Sequence, residues 1–139
     1  MSFAANEAIN GLYGKVYDEN GKEIQGAQEF EAVVEFEKAQ IKQAGVLMTG
    51  NKVMGASGSG SLKIVKLDTR LQNKIATNPT GKYNFLGKLA DPTARGEEGI
   101  MLYGVSFDSV QLMSFKLGEV VECDFDFTFD DFKYTKTID

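Results

Sequence analysis

Two pairs of carboxylates sit close enough in the chain to suggest general acid and base work on a glycosidic bond: Glu31 with Glu35, and Asp124 with Asp126. That chemistry needs two carboxyl groups facing each other across a substrate, about 5 to 9.5 Å apart. Here each pair lies along a single alternating stretch, the ordinary pattern of a solvated strand face. Asp124, Asp126, Thr128 and Asp130 imitate the first ligands of a calcium loop. However, Phe129 replaces the turn Gly, and Thr135 stands where the bidentate Glu belongs. The run Gly55-Ala-Ser-Gly-Ser-Gly60 has phosphate-loop spacing, but Ser61 occupies the place of the Lys that reaches the phosphates. Its glycines also miss the dinucleotide fingerprint, because Lys63 takes the third Gly position. Cys123 shares its alternation phase with Phe125, which marks it as a small buried hydrophobe rather than a nucleophile. The chain has no His at all. That absence removes Ser-His-Asp and Cys-His catalysis and His-ligated metal sites.

The elements that would position these residues are mainly strands. From Phe30, the even positions Phe30, Ala32, Val34 and Phe36 alternate with Glu31, Glu35 and Glu37, a period of 2. Ala39 and Ile41 then fall on the other phase, which predicts a bulge near Glu37 to Lys38. Asn20-Gly21 predicts a tight hairpin turn after Leu12–Asp18. Residues 45–60 carry five Gly and two Ser and read as a Gly-rich extended loop. Ser61–Leu67 reads as a strand. A single helix is expected over about residues 68–77, capped by Asp68, with Leu67, Leu71 and Ile75 on one face and Asn78-Pro79 ending it. Strands are expected at Tyr83–Leu89 and at Met101–Phe107, the latter with Met101, Tyr103, Val105 and Phe107 on one face. A polar, turn-rich link from Asp91 to Gly99 lies between them. Gln111–Leu117 is a weaker strand. The clearest alternation sets Val121, Cys123, Phe125, Phe127 and Phe129 against Glu122, Asp124, Asp126, Thr128 and Asp130.

Length and composition agree with this pattern. The chain has 139 residues, which suits one domain spanning 1–139, and its 10 Phe and 5 Tyr supply a core without metal or disulfide. One Cys forms no internal disulfide and points to an intracellular origin. The start, Met1-Ser-Phe-Ala-Ala, lacks the basic flank and apolar run of an export signal. Ile100–Tyr103 is the longest apolar run, far short of the ~20 residues that span a bilayer, so no membrane insertion by the monomer is expected. The net charge of -5 argues against a protein that grips nucleic acid through phosphate contacts, and no sequence-specific nucleic acid binding is expected.

The run Met48-Thr-Gly-Asn-Lys-Val-Met-Gly-Ala-Ser-Gly-Ser-Gly60 carries a resemblance together with four further motifs. These are Arg95-Gly96, Leu102-Tyr103 with Val105, Phe107-Asp108-Ser109, and Phe127-Thr-Phe-Asp-Asp-Phe132. In this order and spacing, the chain resembles the tail tube proteins of PBSX-like defective prophages and related contractile-tailed phages. The resemblance implies an antiparallel β-sandwich or barrel with one flanking helix, forming hexameric rings that stack into the inner tube of a phage tail or R-type bacteriocin. It implies no catalysis, no cofactor and no metal. The implied partners are further copies of the chain, a tail sheath protein, and a baseplate or tail initiator, in a virion tail or tail-like particle assembled in the bacterial cytoplasm. On that reading Val46, Leu47, Met48, Asn51, Val53 and Met54 are candidates for contacts between rings. Glu31, Glu35 and Glu37 on one strand, and Glu122, Asp124 and Asp126 on another, are candidates for the lumen. A small β-barrel that binds an apolar ligand is the alternative.

Overall fold

The computed structural model describes residues 4–139, so the first residues of the segment read above as lacking an export signal lie outside the described residues. Seven strands and one α-helix follow in order: β1 (Gly14–Tyr17), β2 (Ala27–Ile41), β3 (Gly50–Val65), α1 (Arg70–Thr77), β4 (Tyr83–Leu89), β5 (Glu98–Phe107), β6 (Glu122–Phe129) and β7 (Asp131–Lys136). The antiparallel path runs β1-β4-β5-β6-β3-β2, with β7 alongside β5. One layer is β1-β4-β5-β7 and the other is β2-β3-β6; the last two residues of β5, Ser106 and Phe107, cross over to pair with β6. Between the layers lie Leu62, Ile64, Tyr83, Phe85, Leu102, Val105, Cys123, Phe125, Phe127 and Phe129. Phe107 is the hub, with ring centroids of Tyr83, Phe85, Phe125 and Phe127 at 5.8 to 6.1 Å. Burying each such ring contributes about 1.5–3 kcal/mol. The mainly β architecture with one flanking helix is the expected one.

Strand β6 follows its alternation without a break: Cys123, Phe125, Phe127 and Phe129 are buried and the residues between them exposed. Strand β2 slips where expected, between Glu37 and Lys38, and the extra residue belongs to its partner, since Gly55 and Val53 are the paired positions and Met54 is skipped. The Asn20-Gly21 turn is present, with Gly21 at φ 79° and its N–H donating to the Asp18 carbonyl at 3.1 Å. Its return strand shrinks to a single bridge between Tyr17 and Glu23.

Four expectations are corrected. Residues 45–60 are not a loop throughout, because from Gly50 onward they form β3. The glycines at 58 and 60 sit opposite Phe129 and Phe127, whose rings fill the space a side chain would take, so glycine here is a packing choice inside a strand. In β5, Leu102 and Val105 are fully buried while Tyr103 is 37% exposed, the reverse of the expected face for Leu102 and Tyr103. The cause is a bulge: Tyr83 and Phe85, two apart, pair with Val105 and Leu102, three apart, and Gly104 adopts φ 66°. The helix begins at Arg70, with the Asp68 carboxylate accepting from the Arg70 N–H at 3.1 Å; Leu67 is exposed, and Gln72 joins Ile75 in the interior. Finally, Gln111–Leu117 forms no strand in the subunit.

Candidate functional site: an acidic sheet face and a two-stranded arm

Strand β3 pairs with β2 on one side and β6 on the other, and this decides where the carboxylates go. Glu31, Ser61 and Asp126 stand in one row, as do Glu29, Lys63 and Asp124. Residues directly opposite each other share a face. Glu35 and Glu37 continue the row set along β2 opposite Ser57 and Gly55, and Glu122 continues it along β6 opposite Val65. The two carboxylate sets, separate in the sequence, therefore lie on the same outward face, flanking a median strip of Ser57, Ser59 and Ser61. The opposite face of the same strands carries Phe30, Leu62, Phe125 and Phe127 into the core. One cation interrupts the acidic surface: the Lys63 ammonium lies 3.9 Å from both the Glu122 and Asp124 carboxylates.

The second feature is an arm. Strand β6 accompanies β3 only from Gly58 to Val65, so beyond Ser57 and Glu35 the β2–β3 hairpin continues as two strands alone. Six further residues of β2, Phe36–Ile41, extend it by roughly 20 Å at the ~3.4 Å rise of an antiparallel strand. All six residues named as inter-ring candidates lie here. Val46, Leu47 and Met48 form the tip; Asn51 pairs with Gln40, Val53 with Lys38, and Met54 is the bulged residue. Leu47 is 99% exposed and Met48 81%. Phe36, at 61%, and Ile41 are also exposed on this arm. The alternation puts Phe36 in phase with Phe30, yet periodicity shows the phase of a side chain, not whether a second layer covers it. Two strands alone are marginal in water, and an apolar two-stranded arm calls for a neighbour.

The structure offers no convergent chemistry among the described residues. No group of three or more Cys, Asp or Glu is placed to hold a metal ion, and Cys123 is buried, its Sγ accepting from the Gln72 amide at 3.3 Å. Among the described residues no helix is long and apolar enough to cross a membrane. Asp91, in the link read only as polar and turn-rich, is a buried structural anchor. It accepts from the Thr93 N–H at 2.9 Å, the Thr93 hydroxyl at 2.8 Å and the Asn10 N–H at 3.0 Å. Those bonds, the Thr93 N–H foremost, hold its carboxyl below the usual value of 3.8 against the opposing effect of burial. A β-sandwich that exposes open strand edges, an apolar two-stranded arm and one acidic face presents the surface of a subunit built to be joined by neighbours.

Comparison with known proteins gives the particular kind. Residues 1–136 match the phage tail tube protein family, and the chain belongs to it. It is 32% identical over 138 residues to the phage-like element PBSX protein XkdM of Bacillus subtilis (strain 168), covering 95% of this chain and 93% of that one. In fold it matches a chain of the anti-feeding prophage tube-terminating cap with TM-score 0.78 at 9% identity, covering 99% of this chain and 97% of that one. It also matches a chain of the sheath–tube complex of an extracellular contractile injection system, with TM-score 0.74 at 12% identity, over 98% and 100% of the two chains. The role is structural, not enzymatic.

Proposed function

We propose that this chain builds the inner tube of a contractile phage tail or phage-tail-like bacteriocin, as hexameric rings stacked into a hollow cylinder. The observation that carries this reading is membership of the tail tube family along almost the whole chain. The tube would be assembled in the bacterial cytoplasm, start on a baseplate or tail initiator, and carry the tail sheath protein on its outside. The arm, with Val46, Leu47, Met48, Asn51, Val53 and Met54, contacts the adjacent ring, which buries apolar surface that the subunit leaves in water. The acidic face, with Glu31, Glu35, Glu37, Glu122, Asp124 and Asp126, lines the lumen. A ring repeats that face around the bore, and a wall of one sign repels phosphates and lets DNA slide without sticking. The chain would act as one domain in this assembly.

Negative-stain microscopy of the concentrated protein, with and without a tail initiator, tests the reading. Rings or tubes are expected in at least one condition. A strictly monomeric chain in both would overturn it, and monomers are what a small-ligand carrier would give.

A further inference from the structure

The proposed ring leaves open which segments join one subunit to the next. Strand β2 lies at one margin of its layer, and no strand among the described residues pairs with its outer edge. Beside that edge, between the layers, runs a groove of about 530 Å³ lined by Phe30, Ala32 and Ile100 and also by the charged Lys15, Glu29 and Glu98. An open strand edge with a partly apolar groove alongside is the receptor half of strand addition: main-chain hydrogen bonds hold the incoming segment while alternate side chains fill the groove.

The donor half is at the opposite margin. Between the end of β5 and the start of β6, Ser109–Val121 forms no strand; within Gln111–Leu117 the Lys116 carbonyl accepts a turn bond from the Glu119 N–H, and the Leu112 carbonyl accepts from the Lys66 ammonium at 3.5 Å. Yet its side chains are apolar and in water: Met113 is 77% exposed, Phe115 71% and Leu117 95%. The sequence pattern reads as a strand because it has strand composition; what the subunit lacks is a partner for it. Because donor and receptor lie on opposite margins of one layer, joining them is head to tail, the arrangement that closes rings.

We propose that Gln111–Leu117 of one copy adds as an antiparallel strand to the free edge of β2 in the next, with Ser114 opposite Glu31. This rests on the ring reading above and names its lateral contact. In that register Leu112 meets Val33, the apolar side chain set among the carboxylates of β2, and Lys116 meets Glu29. On the other face, Met113 and Phe115 meet Ala32 and Phe30 at the groove. A shift by one residue would place Lys116 on the apolar side and Phe115 among the carboxylates, so charge and apolar pattern select the phase together.

The test uses the full chain in a Cys123→Ser background. Glu31→Cys with Ser114→Cys brings two sulfurs onto the same face of adjacent strands, within disulfide reach. Oxidised assemblies should then run as a covalent ladder up to the closed ring on a denaturing gel, reversed by reductant. Ala32→Cys with Ser114→Cys puts the sulfurs on opposite faces and should stay unlinked. The Glu31 carbonyl faces β3, so on the outer edge it is Ala32 that presents its N–H and C=O, to Met113 of the incoming strand. Met113→Pro, in a segment outside the subunit's sheets, removes that bond and should keep the monomer's melting temperature and lose rings. Rings from Glu31→Cys with Ser114→Cys that yield no linked species, or wild-type ring yield from Met113→Pro, would overturn this contact while leaving the ring reading standing. Absence of rings from the unmodified chain would remove both.

Discussion

The Phe127 ring lies directly over Gly60, so close that a Cβ at position 60 would come within 2.5 Å of it and within 2.3 Å of the Glu31 carbonyl oxygen. Backbone cannot yield as a flexible side chain can, so Gly60→Ala should destabilise the subunit by about 1–3 kcal/mol. At Gly55 the nearest atom to a new Cβ is the tip of Glu37 at 3.4 Å, and Gly55→Ala should melt close to wild type. Thermal unfolding of both variants checks the contrast, and equal melting temperatures would contradict it.

Phe125 is fully buried, and Phe125→Ala should cost about 3–5 kcal/mol through the cavity it leaves. Cys123→Ser places a hydroxyl where the Gln72 amide still finds an acceptor, so the loss should be nearer 1 kcal/mol and assembly should survive. Urea unfolding measures both, and loss of assembly in a folded Cys123→Ser subunit would contradict the structural role given to the thiol.

Leu47 and Met48 contribute nothing to the subunit's core, so Leu47→Ser with Met48→Ser should leave its melting unchanged. Under the stacking role of the arm, rings should still close while tube length falls sharply in electron micrographs. Tubes of undiminished length would remove that role from the tip.

Because both carboxylate sets share one face, lysine replacement of either set should give the same result. Glu31, Glu35 and Glu37, or Glu122, Asp124 and Asp126, changed to Lys should leave the fold intact, since exposed ion pairs contribute about 0–1 kcal/mol. Tubes of either triple variant should retain DNA that passes the wild type, and release it as salt rises. Retention by neither would exclude this face from the lumen.

Asp91 provides a pH-dependent prediction. Its carboxyl is held below its ordinary value in the folded chain, so the unfolded chain binds the proton more readily. Its contribution is therefore fully present above the ordinary aspartate value of 3.8 and is lost as pH falls through the lower folded value. The melting-temperature gap between wild type and Asp91→Asn should be constant near neutrality and narrow below about pH 4. A gap that does not change with pH would refute the assignment.

The strands that a reader can recover from this sequence are those whose apolar residues keep one phase against one covering layer, such as β6 and the first half of β2. Gly50–Gly60 escapes because glycine carries almost no strand preference of its own. Its signal is the placement of Ser57, Ser59 and Ser61 on one parity with Gly58 and Gly60 on the other. The phase of β5 is hidden by the left-handed Gly104, which returns Val105 to the face of Leu102. The two acidic sets are each plain from alternation. Their common face is not, because it depends on β3 pairing with both β2 and β6, a long-range fact with no local trace.

Strand β5 belongs to both layers, with Glu98–Val105 among the strands of one and Ser106–Phe107 hydrogen-bonded into the other, and β6 passes to β7 through Asp130 alone. The layers are thus tied by continuous main chain at adjacent corners, where the Asp130 N–H also bonds the Tyr103 carbonyl at 2.9 Å. Sideways load on one layer would be carried as tension along covalent backbone instead of as slip between greasy side chains. Any wall made of such units would gain stiffness from within each subunit, because load on one layer reaches the other through main chain.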